Sequence, residues 1–466
     1  MRDKATLWRF SNLSCKLVVY ILLITMLAGC KKESQEQVFN LKEVSVFDLD
    51  DQSFKRGQIC ICNQEHDPDI KAYPSFLSDK PLYGSIQFAQ VPGLENSGMN
   101  YHFALDESNG TDKGYDLLYF DINRDLDLTN DIPITPLKKQ SKKAFLNYST
   151  VKKQICFDCI NVNFDYSSKE QQLLELMPRL LLFDSGVYNL NFVTTKARKG
   201  KIKIAGQRYN VLLGHAGLIS GSFNNPWTAL CLLPEGSENQ QPNWVNSDRL
   251  MALHKIKGTY YCFSATPSGN KLIVRPYEGG FGTFMAGAGG RELVYTGCSG
   301  SLCSSDKAVA VGGKISNGVL QKTRDCQLPV GDYYPLSLTV RFEGMSVNIS
   351  DNYHRDGEPR GKALGTKTYG INIRKGESFV FDFSNEPKVI FASPAKDYRI
   401  KPGEELTVKA VLTDPELDIM IRQIDVLVNA TNPKGKKWLK PVSLDPNVVI
   451  ARTNSEKVAD GVMPFG

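Results

Sequence analysis

The sequence predicts a mainly β protein: several antiparallel β-sandwich-like domains in a row, with an immunoglobulin-like domain at the C-terminal end. Two observations predict this. Apolar and polar residues alternate in short runs such as "GSIQFAQV" (84–91), "KIKIAGQRYNVLLG" (201–214), "KLIVRPY" (271–277), "PLSLTVRF" (335–342) and "ELTVKAVL" (405–412), which is the period of half-buried strands. Those runs are broken by Gly, Pro, Asn and Asp, the residues that supply turn geometry. The best helix candidate, "SKEQQLLELMPRLL" (168–181), is short and interrupted by Pro178, which removes a helical hydrogen bond.

At the N-terminus, Arg2, Lys4, Arg9 and Lys16 precede an apolar stretch from Leu17, followed by Leu27, Ala28, Gly29 and Cys30. A basic segment, a short apolar core and small residues before the cleavage point form an export signal over 1–29. A Cys directly after such a site has the form of a bacterial lipoprotein, with lipid expected on Cys30. The apolar run is too short and too close to Cys30 for a retained membrane helix. Several acyl chains would hold the protein firmly on a bilayer, and residues 30–40 are expected to be a lipidated tether. Lys31 next to the lipid-bearing Cys points toward the outer membrane, facing periplasm or exterior.

Loss of Arg2, Lys4, Arg9, Lys16 and Asp3 with the signal lowers the formal charge from +6 to +3. So small an excess gives no nucleic-acid footprint. Four β units follow from the composition: 41–195 with an acidic EF-hand-like loop, 196–295 with a degenerate loop, 296–391 as a β-sandwich-like domain, and 392–466 as the immunoglobulin-like domain. Gly and Ser crowd the stretch 279–305, and "FASPAKDYRIKPGEEL" (391–406) carries the Pro/Gly punctuation that opens such a sandwich.

The chemistry concentrates in "LLYFDINRDLDLTNDIPI" (117–134), which places acceptors at Asp121, Asn123, Asp125, Asp127, Thr129 and Asp131. Calcium takes six to eight hard oxygens, and ligands at the first, third and fifth positions of a loop can turn inward around one ion. Asp121, Asn123 and Asp125 match that opening; Asp127, Thr129 and Asp131 would complete the shell. The loop departs from the EF-hand and dockerin pattern in three ways. Leu126 stands where Gly makes the sharp turn, Ile132 stands where the closing acid belongs, and a strand precedes the loop in place of a helix. The alternative is an Asx-rich turn whose side chains cap their own backbone. Four carboxylates in so short a span repel one another, which favours a bound dication, and the large flexible donor set favours calcium over magnesium. A catalytic pair is disfavoured because paired acids come from separate strands across a cleft.

The second unit carries "GHAGLISGSFNNPW" (214–227), an echo of that loop with Ala216, Leu218 and Ser220 in place of acids. The five histidines have no metal-ligand spacing, no nucleophile elbow is present, and "YEGGFGTFMAGAGG" (277–290) lacks the helix that a nucleotide loop requires. Cys60 with Cys62 and Cys156 with Cys159 are too widely separated for a four-thiolate zinc knuckle. Among nine cysteines left after loss of Cys15 and lipidation of Cys30, Cys298 with Cys303 or Cys326 is the expected disulfide group of an exported chain.

"YPSFLSDKPLYGSIQF", "FALDESNGTDKGYDLLYFDINRDLDLTND", "LPVGDYYPLSLTV" and "LDPNVVIARTNSEKVADGVMPFG" together resemble a group of large exported proteins of environmental bacteria, of planctomycete and lentisphaera type. The resemblance spans most of the mature region. It implies an EF-hand-like calcium loop at Asp121, Asn123, Asp125, Asp127 and Asp131, and it implies no activity. The expected role is that of a calcium-binding envelope lipoprotein, membrane-attached, with a structural function or one in binding envelope polysaccharide or protein. The alternative is a secreted hydrolase acting on polysaccharide or peptide.

Overall fold

The computed structural model describes residues 36–49, 53–88, 100–111, 114–139, 142–145, 150–166, 170–237, 247–304, 306–311, 315–316, 319–320, 325–350, 370–382, 386–393, 398–401, 403–406, 408–414, 417, 419–431 and 437–463. The expected signal peptide 1–29, Cys30 and the first part of the expected tether lie outside them. The described residues form strands, turns and three short 3-10 segments, with no α-helix among them. As the alternating pattern predicts, the chain is a multi-sheet, mainly antiparallel β protein.

The acidic loop hangs from a three-stranded sheet made of Leu82–Gln87, Asn100–Asp106 and Leu117–Phe120, with Asn100–Asp106 in the middle. From Tyr101 onward that middle strand is buried on both faces. On one face Tyr101, Phe103 and Leu105 join Leu118 and Phe120 in a cluster with Leu180, Leu190 and Phe192. The last three come from a five-stranded sheet built from Gln58–Ile61, Tyr188–Thr194, Glu170–Phe183, Val151–Cys156 and Ile160–Tyr166. On the opposite face Ala104 packs with Ile70, Tyr83 and Leu128, so the sheet is covered there by its own loops.

Glu170–Phe183, which covers most of the helix candidate 168–181, is a strand of 14 residues. Its N-terminal part pairs with Ile160–Tyr166 and its C-terminal part with Val151–Cys156. Pro178 sits where the partner changes, and its carbonyl accepts from Phe157 N at 2.9 Å. Its missing N–H faces that gap, so proline interrupts no ladder there. Burial of both faces around Met177 and Leu181 yields a continuous apolar run, which periodicity alone does not distinguish from a helix.

A second pair of sheets packs around Leu41, Ile202, Val211, Leu213, Phe263 and Val274. It includes the N-terminal residues: Lys42–Ser45 pairs with Lys196–Ile204, and Gln37–Asn40 pairs with Lys271–Pro276. The tether expected over 30–40 thus ends before Gln37. The expected joint at 195/196 is bridged by that pairing and by a shared cluster containing Val46, Phe54, Met177, Val193, Leu212 and Cys231.

The remaining strands form a nine-stranded sheet, two two-stranded hairpins and a three-stranded sheet of Asp325–Pro329, Phe281–Ala286 and Ser378–Phe381, the last two parallel. Phe281–Ala286, expected in the second unit, therefore belongs to the third. The expected joint at 391/392 falls inside the strand Lys388–Ser393, which pairs with Lys409–Asp414. Residues 392–466 supply Lys409–Asp414, Ile419–Thr431 and Lys437–Ser443 to the nine-stranded sheet, and Asn447–Ala451 with Lys457–Val462 as a separate hairpin.

Candidate metal centre

The acidic loop begins where Leu117–Phe120 ends, and Asp121 N donates to His102 O at 3.0 Å, fixing the first acid to the middle strand. Asp121 is fully buried. One of its oxygens accepts from Leu126 N at 3.2 Å; the other, Oδ1, is buried with no donor. From there each acceptor caps the amide two residues on: Asp125 N donates to Asn123 Oδ1 at 3.0 Å, Asp127 N to Asp125 Oδ1 at 2.9 Å, and Thr129 N to Asp127 Oδ1 at 2.9 Å. These are the successive Asx turns that short polar side chains form. They coil the loop.

The coil requires left-handed backbone at two residues without glycine's freedom: Arg124 has φ 59° and Leu126 has φ 66°. Leu126 occupies the glycine position of an EF-hand, at a cost of roughly 1–2 kcal/mol. Packing offsets it. Leu126 and the fully buried Leu128 join the cluster of Ile70, Tyr83 and Ala104, while Lys71 N donates to Leu126 O and Leu128 N to Ala72 O. The acids at 121, 125 and 127 are thus held by an apolar underside at 126 and 128.

Asp131 closes the loop. Burial first, and the charge of Asp121 next, push its carboxyl up to about 6; Asp125 and Asp127 add to the push, and a hydrogen bond from the Ile122 amide opposes it. Asp131 Oδ2 is a second buried carboxylate oxygen with no donor. Asp125, by contrast, lies below the usual carboxylate range, because Asn130 Nδ2 donates to it at 2.7 Å and the Asp127 amide also bonds it. Thr129 Oγ1 donates to Asp127 Oδ1 at 2.5 Å, and Ile132, at the place of the closing acid, is 87% exposed.

Of the six predicted ligands, then, Asp121 and Asp131 bury an unmet oxygen each, while Asn123, Asp125 and Asp127 hold loop amides and Thr129 bonds Asp127. Among the described residues no group of three or more His, Cys, Asp or Glu side chains forms a ready metal cage. The donor set still fits a hard cation: an unmet buried carboxylate oxygen costs about 1–3 kcal/mol, and both unmet oxygens belong to the mutually repelling acids that open and close the loop. Drawing in Asp125 and Asp127 would exchange amide contacts for ion contacts within a flexible shell of the kind calcium accepts.

Sequence reasoning missed two contributors. Asn130 bonds Asp125, and Lys71 Nζ donates to Asp125 O at 2.8 Å. Asn130 was within the quoted motif but off its alternation; Lys71 is distant in sequence, and only the docking of 66–72 brings it near. That docking is secured by His102 Nδ1 and Asp67 Oδ2, 2.9 Å apart, a structural use of His102.

The degenerate loop of the second unit follows the strand Gln207–His215 and is organised by an amide. Asn225, fully buried, donates through Nδ2 to Ser220 Oγ at 2.6 Å, Thr228 Oγ1 at 2.8 Å and the Ser222 carbonyl, while its Oδ1 accepts from Trp227 N and Thr228 N at 2.6 and 3.1 Å. Asn225 does with hydrogen bonds what an ion would do elsewhere. Cys60 and Cys156 lie on strands of one sheet with two strands between them, roughly 14 Å apart at the usual strand spacing, so the two cysteine pairs do not share a metal.

A surface cavity of about 460 Å³ lies away from the acidic loop, lined by Glu43, Phe47, Leu137, Cys159, Glu175 and Thr195 among others. Its acids are engaged: Glu43 is paired with Lys196 and Arg198 at 3.1 and 2.5 Å, and Glu175 accepts from Thr195 Oγ1 at 2.5 Å. No protein-family model matches this chain, and no curated protein or solved structure matches it.

Proposed function

We propose that this chain is a calcium-stabilised β protein of the bacterial envelope, lipid-anchored at Cys30, in which the ion staples the loop 121–131 to its sheet. The observation that carries the metal reading is the fully buried Asp121, whose Oδ1 meets no donor, together with Asp131 Oδ2, likewise buried without one at the far end of the loop. The ion would be structural, since the loop rests on packed apolar side chains and opens onto no cavity described above. Asp121, Asp125, Asp127 and Asp131 would supply charge, and Asn123 and Thr129 neutral oxygens. The export signal, the Cys after it and the near-neutral mature charge support the envelope assignment.

Calcium would stabilise by RT ln(1 + [L]/Kd), about 2.7 kcal/mol when the free ion is a hundredfold above Kd. The test compares melting of the purified protein in calcium and in chelator. A higher midpoint in calcium, abolished by Asp121→Ala with Asp125→Ala, supports the reading; identical midpoints in the wild type refute it. Lipid at Cys30 is read from the mass of the N-terminal peptide. The hydrolase reading has less support, because Glu43 and Glu175 in the cavity are already bonded to neighbours.

A further inference from the structure

Cys298 and Cys326 lie on two different sheets and pack into the same apolar layer. Cys298 lies in the strand Tyr295–Cys303 of the nine-stranded sheet, opposite Val340, and is 6% exposed. Cys326 lies in Asp325–Pro329, an outer strand of the three-stranded sheet, opposite Phe284. Both pack in one apolar cluster with Phe284, Leu328 and Val340, the layer between those sheets. Burial first, and the charge of Cys326 next, push the Cys298 thiol up to about 12.

The other candidate partner is removed by geometry. Cys303 is five residues along the same strand, about 16 Å away at the usual rise, whereas a disulfide needs Cα atoms roughly 4.4–6.8 Å apart. Cys303 also packs elsewhere, with Ala308 and Tyr334. Cys262 belongs to a strand of yet another sheet.

We propose that Cys298 and Cys326 form an inter-sheet disulfide that ties the three-stranded sheet to the nine-stranded one. The oxidant rests on the envelope reading: a compartment supplying small or protein disulfides. The half-exposed Cys326 is the accessible partner, so its thiolate attacks one sulfur of an oxidant disulfide, such as oxidised glutathione, expelling one thiolate and leaving a mixed disulfide. Cys298 sulfur then attacks Cys326 sulfur and expels the second thiolate. Two cysteine protons pass to the two glutathione thiolates; the protein pair loses two electrons and the glutathione disulfide gains them.

The test equilibrates the purified full chain in a glutathione redox buffer, labels remaining thiols with a maleimide under denaturing conditions, and maps peptides by mass spectrometry. The expected result is a linked pair of peptides containing Cys298 and Cys326, lighter by two hydrogens than the reduced pair, with Cys303 labelled. Labelled Cys298 and Cys326, or a link from Cys298 to another cysteine, overturns the proposal. Cys326→Ala, at a half-exposed position, should lower the oxidised melting midpoint to that of reduced wild type; a midpoint equal to oxidised wild type also overturns it. A bond that forms in the buffer yet is missing from protein taken from cells counts against the envelope reading and leaves the pairing intact.

Discussion

Asp121 and Asp131 stand at opposite ends of one loop, yet the charge of the first raises the carboxyl of the second, and each buries an oxygen that no donor meets. With no ion between them, the pair is relieved when Asp131 holds a proton. Its folded value, about 6, lies above the ordinary 3.8, so the folded protein binds that proton more tightly than the unfolded chain. In chelator, this contribution to stability is therefore full below about pH 4, shrinks as pH rises, and is lost above about 6. Melting in chelator from about pH 4 to pH 7 should show the decline. Asp131→Asn should flatten it and raise stability at pH 7 by on the order of 1 kcal/mol after solvent screening. A wild-type midpoint that rises over this window, or an unchanged slope in the variant, would contradict the assignment.

In calcium the same substitution should act in the opposite direction. The ion replaces the proton, so binding weakens as pH falls through about 6, and Asp131→Asn removes a charged ligand. Calorimetric titration near pH 7 should find weaker calcium binding by the variant. Equal affinity would leave Asp131 outside the shell.

Leu126 and Leu128 separate backbone strain from burial. Leu128→Ala empties a fully buried position and should cost about 2–5 kcal/mol in urea unfolding. Leu126→Gly loses part of a half-buried side chain but relieves the left-handed backbone at φ 66°, so its net effect should stay within about 1 kcal/mol. Comparable losses at the two positions would mean that the strain is not felt.

How much of this was legible in the sequence depends on how local the signal is. The alternation in "GSIQFAQV" and "KIKIAGQRYNVLLG" predicts strands because solvent and core impose a period of two on neighbouring residues. Asp121, Asn123, Asp125 and Asp127 were legible for the same reason. Glu170–Phe183 misleads because it is buried on both faces around Met177 and Leu181, which erases the period, and because Pro178 is harmless only at a change of strand partner. The expected joints at 195/196 and 391/392 are crossed by strands: Lys42–Ser45 pairs with Lys196–Ile204, and Lys388–Ser393 runs through 391/392 to pair with Lys409–Asp414. No local pattern announces such pairings. Lys71, brought to Asp125 by the docking of 66–72, was hidden likewise.

Arg179 shows what a buried cation does without a metal. It is fully buried, and its guanidinium donates to Asn191 Oδ1 at 3.0 Å, to Ala144 O at 2.9 Å, to Arg56 O at 3.2 Å and to the Lys55 carbonyl. These acceptors come from three separate segments, so one planar fork binds them together. Arg179→Met leaves the Ala144 and Lys55 carbonyls and Asn191 Oδ1 without this donor, while Arg56 O keeps Asn191 Nδ2 at 2.8 Å, and should cost about 3–5 kcal/mol. Arg179→Lys should recover less than half of that, because an ammonium cannot span the fork. Full rescue by Lys in urea unfolding would show that charge alone matters.

Asn225 offers the complementary test, in a loop where an amide does the work of an ion. Asn225→Ala should cost about 1–3 kcal/mol by leaving the Trp227 amide unmet and removing one of two bonds at the Ser222 carbonyl and at the Thr228 amide. Asn225→Asp should be worse at neutral pH, although it keeps the acceptor for both amides. It replaces the Nδ2 donor by an anion facing the Ser222 carbonyl. In the native protein His215 nearby is neutral, since burial holds its imidazole down to about 4. Calcium should not rescue Asn225→Asp, because Ser220, Ser222 and Thr228 bring hydroxyls and a carbonyl but no second carboxylate. A calcium-dependent rise in the midpoint of Asn225→Asp, measured with Asp121→Ala and Asp125→Ala also present, would show that one acid is enough to convert this loop into a metal site.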